Sequence, residues 1–448
     1  MRKVLITGLM VLVTATAMLS AGGRGETAAP VDDQRTIVVA INNAPWLPGY
    51  EGIAAAYERE TGIRVDLRVF PFAQLTERAR AAAESDRSEF DIITMNNAGS
   101  AQFYAAGLLT PLREIDANFT PDPEMINYFY GDRWDAEAGY ASADGEFLSI
   151  PINGNIQILF YRADLYAQAG LQPPETWDDV MHASRTIAGN DPALFGYANR
   201  GQSGTLSVSW DFYPFLRSNG GDVFANAPED WTVVVNSDEA IEALELYLEL
   251  AHEHSPPNVS SIGQAEQVAL LQSGRLLQTI VVSGAFAQMD DTSSSAVVND
   301  IAYTILPRMP GGQHAANVGE LVQGIPRNLP QARKAAALDF LQFVTSYEGQ
   351  IEFGRAGGVP VRTDVYRAPE LAGDPAFRYF EAMLNSEPFL ISFPRIPEGL
   401  QYTDVLERRL NEAISRQLSA REALNLAAEE IYRILDSAGY ATGFSPNN

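Results

Sequence analysis

The sequence predicts an α/β fold built on mainly parallel sheets flanked by helices, and three observations carry that reading. From residue 36 onward, short apolar runs alternate with helical patterns at the spacing of right-handed βαβ units. The runs are apolar throughout rather than alternating, as in strands covered on both faces. With 448 residues, 46% of them apolar and 20% charged, the chain has material for two or three domains and a large core.

The elements follow in order. Thr36–Ile41 is a β-branched strand that ends at Asn42-Asn43-Ala44-Pro45-Trp46. A helix over Gly49–Arg59 stops before Gly62, where a left-handed cap is expected. Strand Val65–Val69, helix Gln74–Ala83, strand Asp91–Met95 and a helix through Gln102–Ala106, stopped by Gly107, complete the first run. The second half is richer in helices. Thr176-x-x-Asp179 is a capping box whose helix closes at Gly189, and Asn236-x-x-Glu239 opens a helix with Ile241, Leu244, Leu248 and Ala251 on one stripe. Pro330 leads into Leu338, Leu341 and Val344, and Ser419-x-x-Glu422 starts a last helix with Leu424, Ala427, Ala428, Ile431 and Leu435 inward.

Composition excludes whole classes of function. Acids outnumber lysine and arginine 57 to 31, a formal charge of −26, which repels a phosphate backbone and argues against nucleic-acid binding. The absence of cysteine excludes disulfides, zinc-thiolate sites, iron–sulfur clusters and thiol nucleophiles. His252 and His254 stand two apart, not four, and are expected to be solvated, so neither a metal nor a cofactor is predicted. No G-x-S-x-G elbow, P-loop or H-E-x-x-H is present, and no catalytic residue is assigned.

The N-terminus reads as a secretory signal over residues 1–21. Arg2 and Lys3 precede the apolar run Val4–Leu19 and the small residues Ser20–Gly23, and residues 22–35 form a tether. Leu19-Ser20-Ala21 is followed by Gly22 where a lipoprotein would carry cysteine. The chain is therefore expected in the periplasm or at the cell surface, without a thioether lipid anchor.

In open α/β sheets, ligands sit outside the carboxyl ends of strands. Three such loops, Asn42–Trp46, Phe70–Phe72 and Met95–Ser100, offer amides and aromatics and few charges. Amides donate to and accept from hydroxyls, and aromatic faces pack on the apolar face of a sugar ring. Trp46, Asn96 and Asn97 are the candidates here. Further along stand Asn153 and Asn155 before strand Ile156–Tyr161, Trp210 before a helix, and Phe286 after strand Thr279–Ser283. Trp177 is assigned to the core, Trp134 and Trp231 to the surface or to packing.

The sequence resembles the extracellular solute-binding proteins of bacterial ABC importers, the family that includes maltose-binding protein. The resemblance rests on Tyr57-Glu-Arg-Glu-Thr-Gly-Ile-Arg-Val65, Phe90-Asp-Ile-Ile93, Gly145-Glu-Phe-Leu-Ser-Ile-Pro151, Phe160-Tyr-Arg-Ala-Asp-Leu165 and Pro174-Glu-Thr-Trp177. Ser218-Asn-Gly-Gly221, Ser273-Gly-Arg275, Tyr347-Glu-Gly349 and Gly358-Val-Pro-Val-Arg362 follow in the right order. It implies two α/β lobes, each a mainly parallel sheet, joined by a hinge: 36–150 and 308–357 in the first lobe, 151–307 and 358–448 in the second. The pocket formers it implies are Trp46, Asn96, Asn97, Asn153, Asn155, Trp210, Phe286 and Glu320, with Arg395 and Tyr402 closing from the second lobe. The function it implies is capture of a neutral di- or oligosaccharide by a monomer that delivers it to importer permease subunits, without catalysis. Alternatives are a carbohydrate-active enzyme on the same fold or a binding protein for a non-sugar solute.

Overall fold

The computed structural model describes residues 36–446, apart from Pro45 and Thr205 and the side chains of Phe72, Ala73, Asn97 and Ala98. The secretory signal and tether expected over 1–35 lie outside the described residues.

Two sheets organise the chain. The first has five strands in the order Arg64–Phe70, Thr36–Asn42, Ile92–Asn96, Leu321–Gly324, Ser149–Asn153. Thr36–Asn42 pairs in parallel with both neighbours, as the βαβ spacing predicts, while Leu321–Gly324 runs antiparallel between Ile92–Asn96 and Ser149–Asn153. The helix Leu47–Thr61 covers one face with Tyr50, Ile53 and Tyr57 and ends at Gly62, where φ is +74°. Its tyrosines reach inward: Tyr50 donates to Gln323 Oε1 and Tyr57 to Asp339 Oδ2, each at 2.6 Å. Arg64–Phe70 is not apolar throughout. It is the exposed edge strand, and Arg64, Asp66 and Arg68 keep that edge charged against further pairing.

The second sheet corrects the expectation of parallel strands. Its order is Gln278–Val282, Gln157–Arg162, Ile301–Thr304, and both outer strands run antiparallel to the middle one. Parallel pairing in this part of the chain is reduced to isolated bridges, Phe195 with Leu276 and Thr176 with Arg308. The helices between Ala163 and Gln272 pack around this sheet rather than returning the chain as a regular crossover strand.

Three connections join the sheets. The chain leaves the first after Asn153, returns to it at Leu321 and leaves again beyond the helix Tyr347–Arg355. The return falls later than the expected Pro307, because Ile301–Thr304 and Ala316–Asn317 both pair with second-sheet or C-terminal strands.

Most helix signals are realised. Thr176 and Ser419 form capping boxes with Asp179 and Glu422. The helix Asp238–Glu249 is capped by Ser237 rather than Asn236, whose amide instead donates to Asn425 Oδ1 at 2.7 Å and Ser445 O at 2.8 Å. His252 is half-buried rather than solvated and hydrogen-bonds the Ile414 carbonyl at 2.9 Å. Trp134 is buried against Tyr104, and Trp231 packs on Phe224 and Tyr440.

Trp177 is the largest fully buried side chain among the described residues and is stacked on Phe215 with ring centroids 3.9 Å apart. Trp177→Ala should lower stability by about 3–5 kcal/mol through the cavity it leaves. Chemical denaturation checks this, and ligand affinity should stay at the wild-type value.

Candidate functional site

Strand ends of both sheets and the connections between them converge on a cavity of about 360 Å³. The first sheet contributes Asn42, Asn96 and Leu321, together with Ala44 and Trp46 from the loop after the first strand. The connections contribute Asn155 and Gly319. The chain between the first two connections contributes Arg200, Leu206, Trp210, Gln264, Val282, Gly284, Ala285 and Gln288.

Several wall residues are held by local structure. Asn96 caps the helix Asn97–Ala105, its Oδ1 accepting from Gly99 N at 2.7 Å, which fixes the orientation of its amide. Asn155 Oδ1 accepts from Gly284 N at 3.1 Å, an approach glycine permits, since a Cβ at Gly284 would meet that oxygen at 2.7 Å. Trp46 packs edge-on against Tyr50 and Phe353. Trp210 donates from Nε1 to Val318 O at 3.2 Å and lies over Gly319, where a Cβ would come within 2.8 Å of the indole.

Trp210 sits on the first turn of the helix Val208–Ser218, and a buried carboxylate fixes that turn. Glu407 accepts from Ser209 N and Oγ on one oxygen, at 3.3 and 3.0 Å, and from Gly204 N and Leu206 N on the other, at 2.6 and 3.1 Å. These bonds hold Leu206 at φ +54°, in the left-handed region a branched side chain avoids.

Arg200 is a wall residue that sequence reasoning missed. It is 3% exposed, its guanidinium lies 5.1 Å from the Trp210 ring centroid, and Nε donates to Gln267 Oε1 at 2.9 Å. Nε also lies 3.7 Å from Asp211 Oδ1. Asp211 is fully buried behind the wall and accepts from Arg200 N at 3.0 Å and Gln157 Nε2 at 3.2 Å. Burial pushes its carboxyl up to about 6, with Arg200 opposing the rise. The one available signal was the run Tyr197-Ala-Asn-Arg200-Gly201: arginine is rarely buried without a partner, and a one-dimensional pattern does not reveal the partner.

Trp46, Asn96, Asn155 and Trp210 thus share one cavity. The Asn97 side chain is outside the described ones. The other predicted site residues do not line the cavity. Asn153 is fully buried at the end of the strand Ser149–Asn153, where its Oδ1 accepts from Val359 N at 3.3 Å. Phe286 turns into the core and stacks on Tyr379 at 3.9 Å. Glu320 and Arg395 form a buried ion pair, Oε1 to Nη2 at 2.5 Å. Burial raises the Glu320 carboxyl and Arg395 opposes the rise. Tyr402 donates to Pro394 O at 2.9 Å and packs edge-on against Phe224 and Phe393. A second chamber of about 390 Å³ lies beside Arg395, Tyr213, Trp231 and Phe393, away from the strand-end amides. Among the described residues no three His, Asp or Glu side chains are grouped to hold a metal ion.

Comparison with known proteins places the chain in a family and identifies its fold. Residues 43–351 match the family described as bacterial extracellular solute-binding protein, and the chain belongs to it. It is 25% identical over 386 residues to the mannitol-binding protein of Pseudomonas aeruginosa, covering 82% of this chain and 85% of that one. Among solved structures it is similar to maltose-bound MalE3 of T. maritima, with a TM-score of 0.75 and 23% identity over 89% of this chain and 100% of that one. It is also similar to an ABC-transporter solute-binding protein of Agrobacterium vitis S4 with bound D-mannitol, with a TM-score of 0.69 and 20% identity over 91% and 99% of the two chains. The fold is the two-lobed one of this family.

The raised Asp211 carboxyl has a consequence for stability. The folded state favours its protonated form, so its contribution is full below the unfolded value of 3.8 and is lost as pH rises through about 6. Asp211→Asn should flatten this part of the stability profile. Denaturation midpoints of the two proteins at pH 4.5 and 7.5 test it, and an unchanged pH dependence would show that Asp211 does not set the slope.

Proposed function

We propose that this protein captures an uncharged sugar or polyol in the cavity between its lobes and presents it to the permease of an ABC importer. The observation that carries the reading is the cavity wall. Amides, two indoles and one arginine with an internal counter-charge face the space, and the described lining residues include no carboxylate. Amides match hydroxyls in both directions, and indole faces match ring C–H groups. The mannitol- and maltose-binding relatives support the same class of solute. A volume near the lower end for small-molecule pockets favours a polyol or a short saccharide over a long one.

The wall also favours binding over catalysis, because glycoside cleavage needs two carboxyl groups facing the bond to be broken. We assign the first lobe to residues 36–153 and 321–356 and the second to 154–320 and 357–446. The family supports an exported protein, and we take the working form to be a monomer outside the cytoplasm.

A thermal-shift panel of neutral sugars and polyols, amino acids, polyamines, phosphate esters and divalent metals tests this reading. A solute at about a thousand times its Kd adds roughly 4 kcal/mol of stability, a shift of several degrees. A shift with a sugar or polyol is expected; shifts confined to charged solutes would refute the assignment. With the responding solute, Trp210→Ala should weaken binding by about 1–3 kcal/mol in calorimetry while leaving the melting temperature of the free protein within a few degrees. Unchanged affinity would make Trp210 a packing residue.

A further inference from the structure

Two residues that line the cavity each carry a buried polar atom with no hydrogen-bond partner among the described residues, and the two residues stand on opposite lobes. Asn42 Oδ1 ends the strand Thr36–Asn42 of the first sheet, and Arg200 Nη2 belongs to the second-lobe wall. Both side chains are more than nine-tenths buried, at 4% and 3% exposure. An unpaired buried polar atom is costly, and its usual partners are protein, water or ligand. One of these atoms accepts and the other donates.

The rest of Arg200 is immobilised. Nε is committed to Gln267, and the guanidinium lies over Trp210. The charge is met from behind by Asp211, which is held in turn by Arg200 N and Gln157 Nε2. Asp211 does not line the cavity, so its counter-charge sits inside the wall, while Nη2 is buried without a hydrogen-bond partner.

We propose that Asn42 and Arg200 are the specificity-determining clamp of the cleft, engaging hydroxyl groups of one solute from the two lobes, and that Asp211 tunes the clamp toward an uncharged solute. A hydroxyl can donate to Asn42 Oδ1 and accept from Arg200 Nη2. A carboxylate only accepts, so it would set acceptor against acceptor at Asn42, and the charge it seeks at Arg200 is already met. The inference rests on the sugar-or-polyol reading above and narrows it to neutral over acidic members of that class.

Calorimetry with D-mannitol and maltose, each beside its acid (D-mannonate and maltobionate), tests both ideas separately. The wild-type protein should bind the neutral member of a pair at least about tenfold more tightly than the acid. Asn42→Ala and Arg200→Lys should each weaken neutral binding by about tenfold or more. Asn42→Asp, which keeps an acceptor, should stay within about threefold of wild type for the neutral solute and reject the acid further. Asp211→Asn should narrow or reverse the preference. The clamp is refuted if Asn42→Ala and Arg200→Lys bind the neutral solute within about twofold of wild type, or if the wild type binds the acid as tightly. The wild-type comparison and Asn42→Asp decide the matter should a buried-charge variant fail to fold by circular dichroism. If no neutral sugar or polyol of the thermal-shift panel binds, the sugar-or-polyol reading itself fails, and the clamp with it.

Discussion

The mutual hydrogen bonding of the three connections between the sheets is the constraint on which the rest of the molecule depends. Gly154 N donates to Val359 O at 2.9 Å, Asn153 Oδ1 accepts from Val359 N, and Gly319 N donates to Asn155 O at 2.8 Å, so each crossing is tied to another. Ile156 and Val318 form a bridge beside them. A Cβ at Gly154 would come within 2.3 Å of the Tyr128 hydroxyl and 2.4 Å of Pro360 O, and only glycine allows that approach. With the crossings fixed, the strand ends that follow or precede them carry Asn155, Asn96 and Asn42 to one place. The Glu320–Arg395 pair is buried in the same region, where Arg395 Nη2 also donates to Tyr128 O at 2.9 Å. Breaking one partner of such a pair leaves an uncompensated charge, so the pair fixes the position of the 391–397 segment against the crossing.

How much of this was legible in the sequence differs residue by residue. Elements announced by local chemistry were readable: the Thr176 and Ser419 boxes, the stop at Gly62 and the apolar strand Thr36–Asn42. Trp46, Asn96 and Asn155 were readable as wall residues because they end strands or open connections, and position along a strand is a local property. Phe286 was not, because a strand-end aromatic can turn outward or inward, and Tyr379, 93 residues later in the chain, supplies the stacking partner that turns it inward. Glu320 and Arg395 read as ligand groups for the same reason: each looks like an exposed charge until the other is placed beside it.

Arg200 shows the limit from the other side. A sequence pattern scores an arginine as surface, yet here Gln267, Trp210 and Asp211 surround it. The antiparallel second sheet was equally hidden, since strand direction depends on how more than a hundred residues of intervening helix pack. The excess of acid over base says little about the cleft itself. Its described wall carries one arginine and no carboxylate, so the −26 of the whole chain resides elsewhere.

The central claim is that one solute is held by groups from both lobes in the cavity between Trp46 and Trp210. The most direct measurement is a crystal structure of the protein with the tightest-binding neutral sugar or polyol. The account predicts solute density in that cavity, with polar contacts to the first sheet and to the second-lobe wall together. Density in the chamber beside Tyr213 and Phe393, or contacts confined to one lobe, would contradict it.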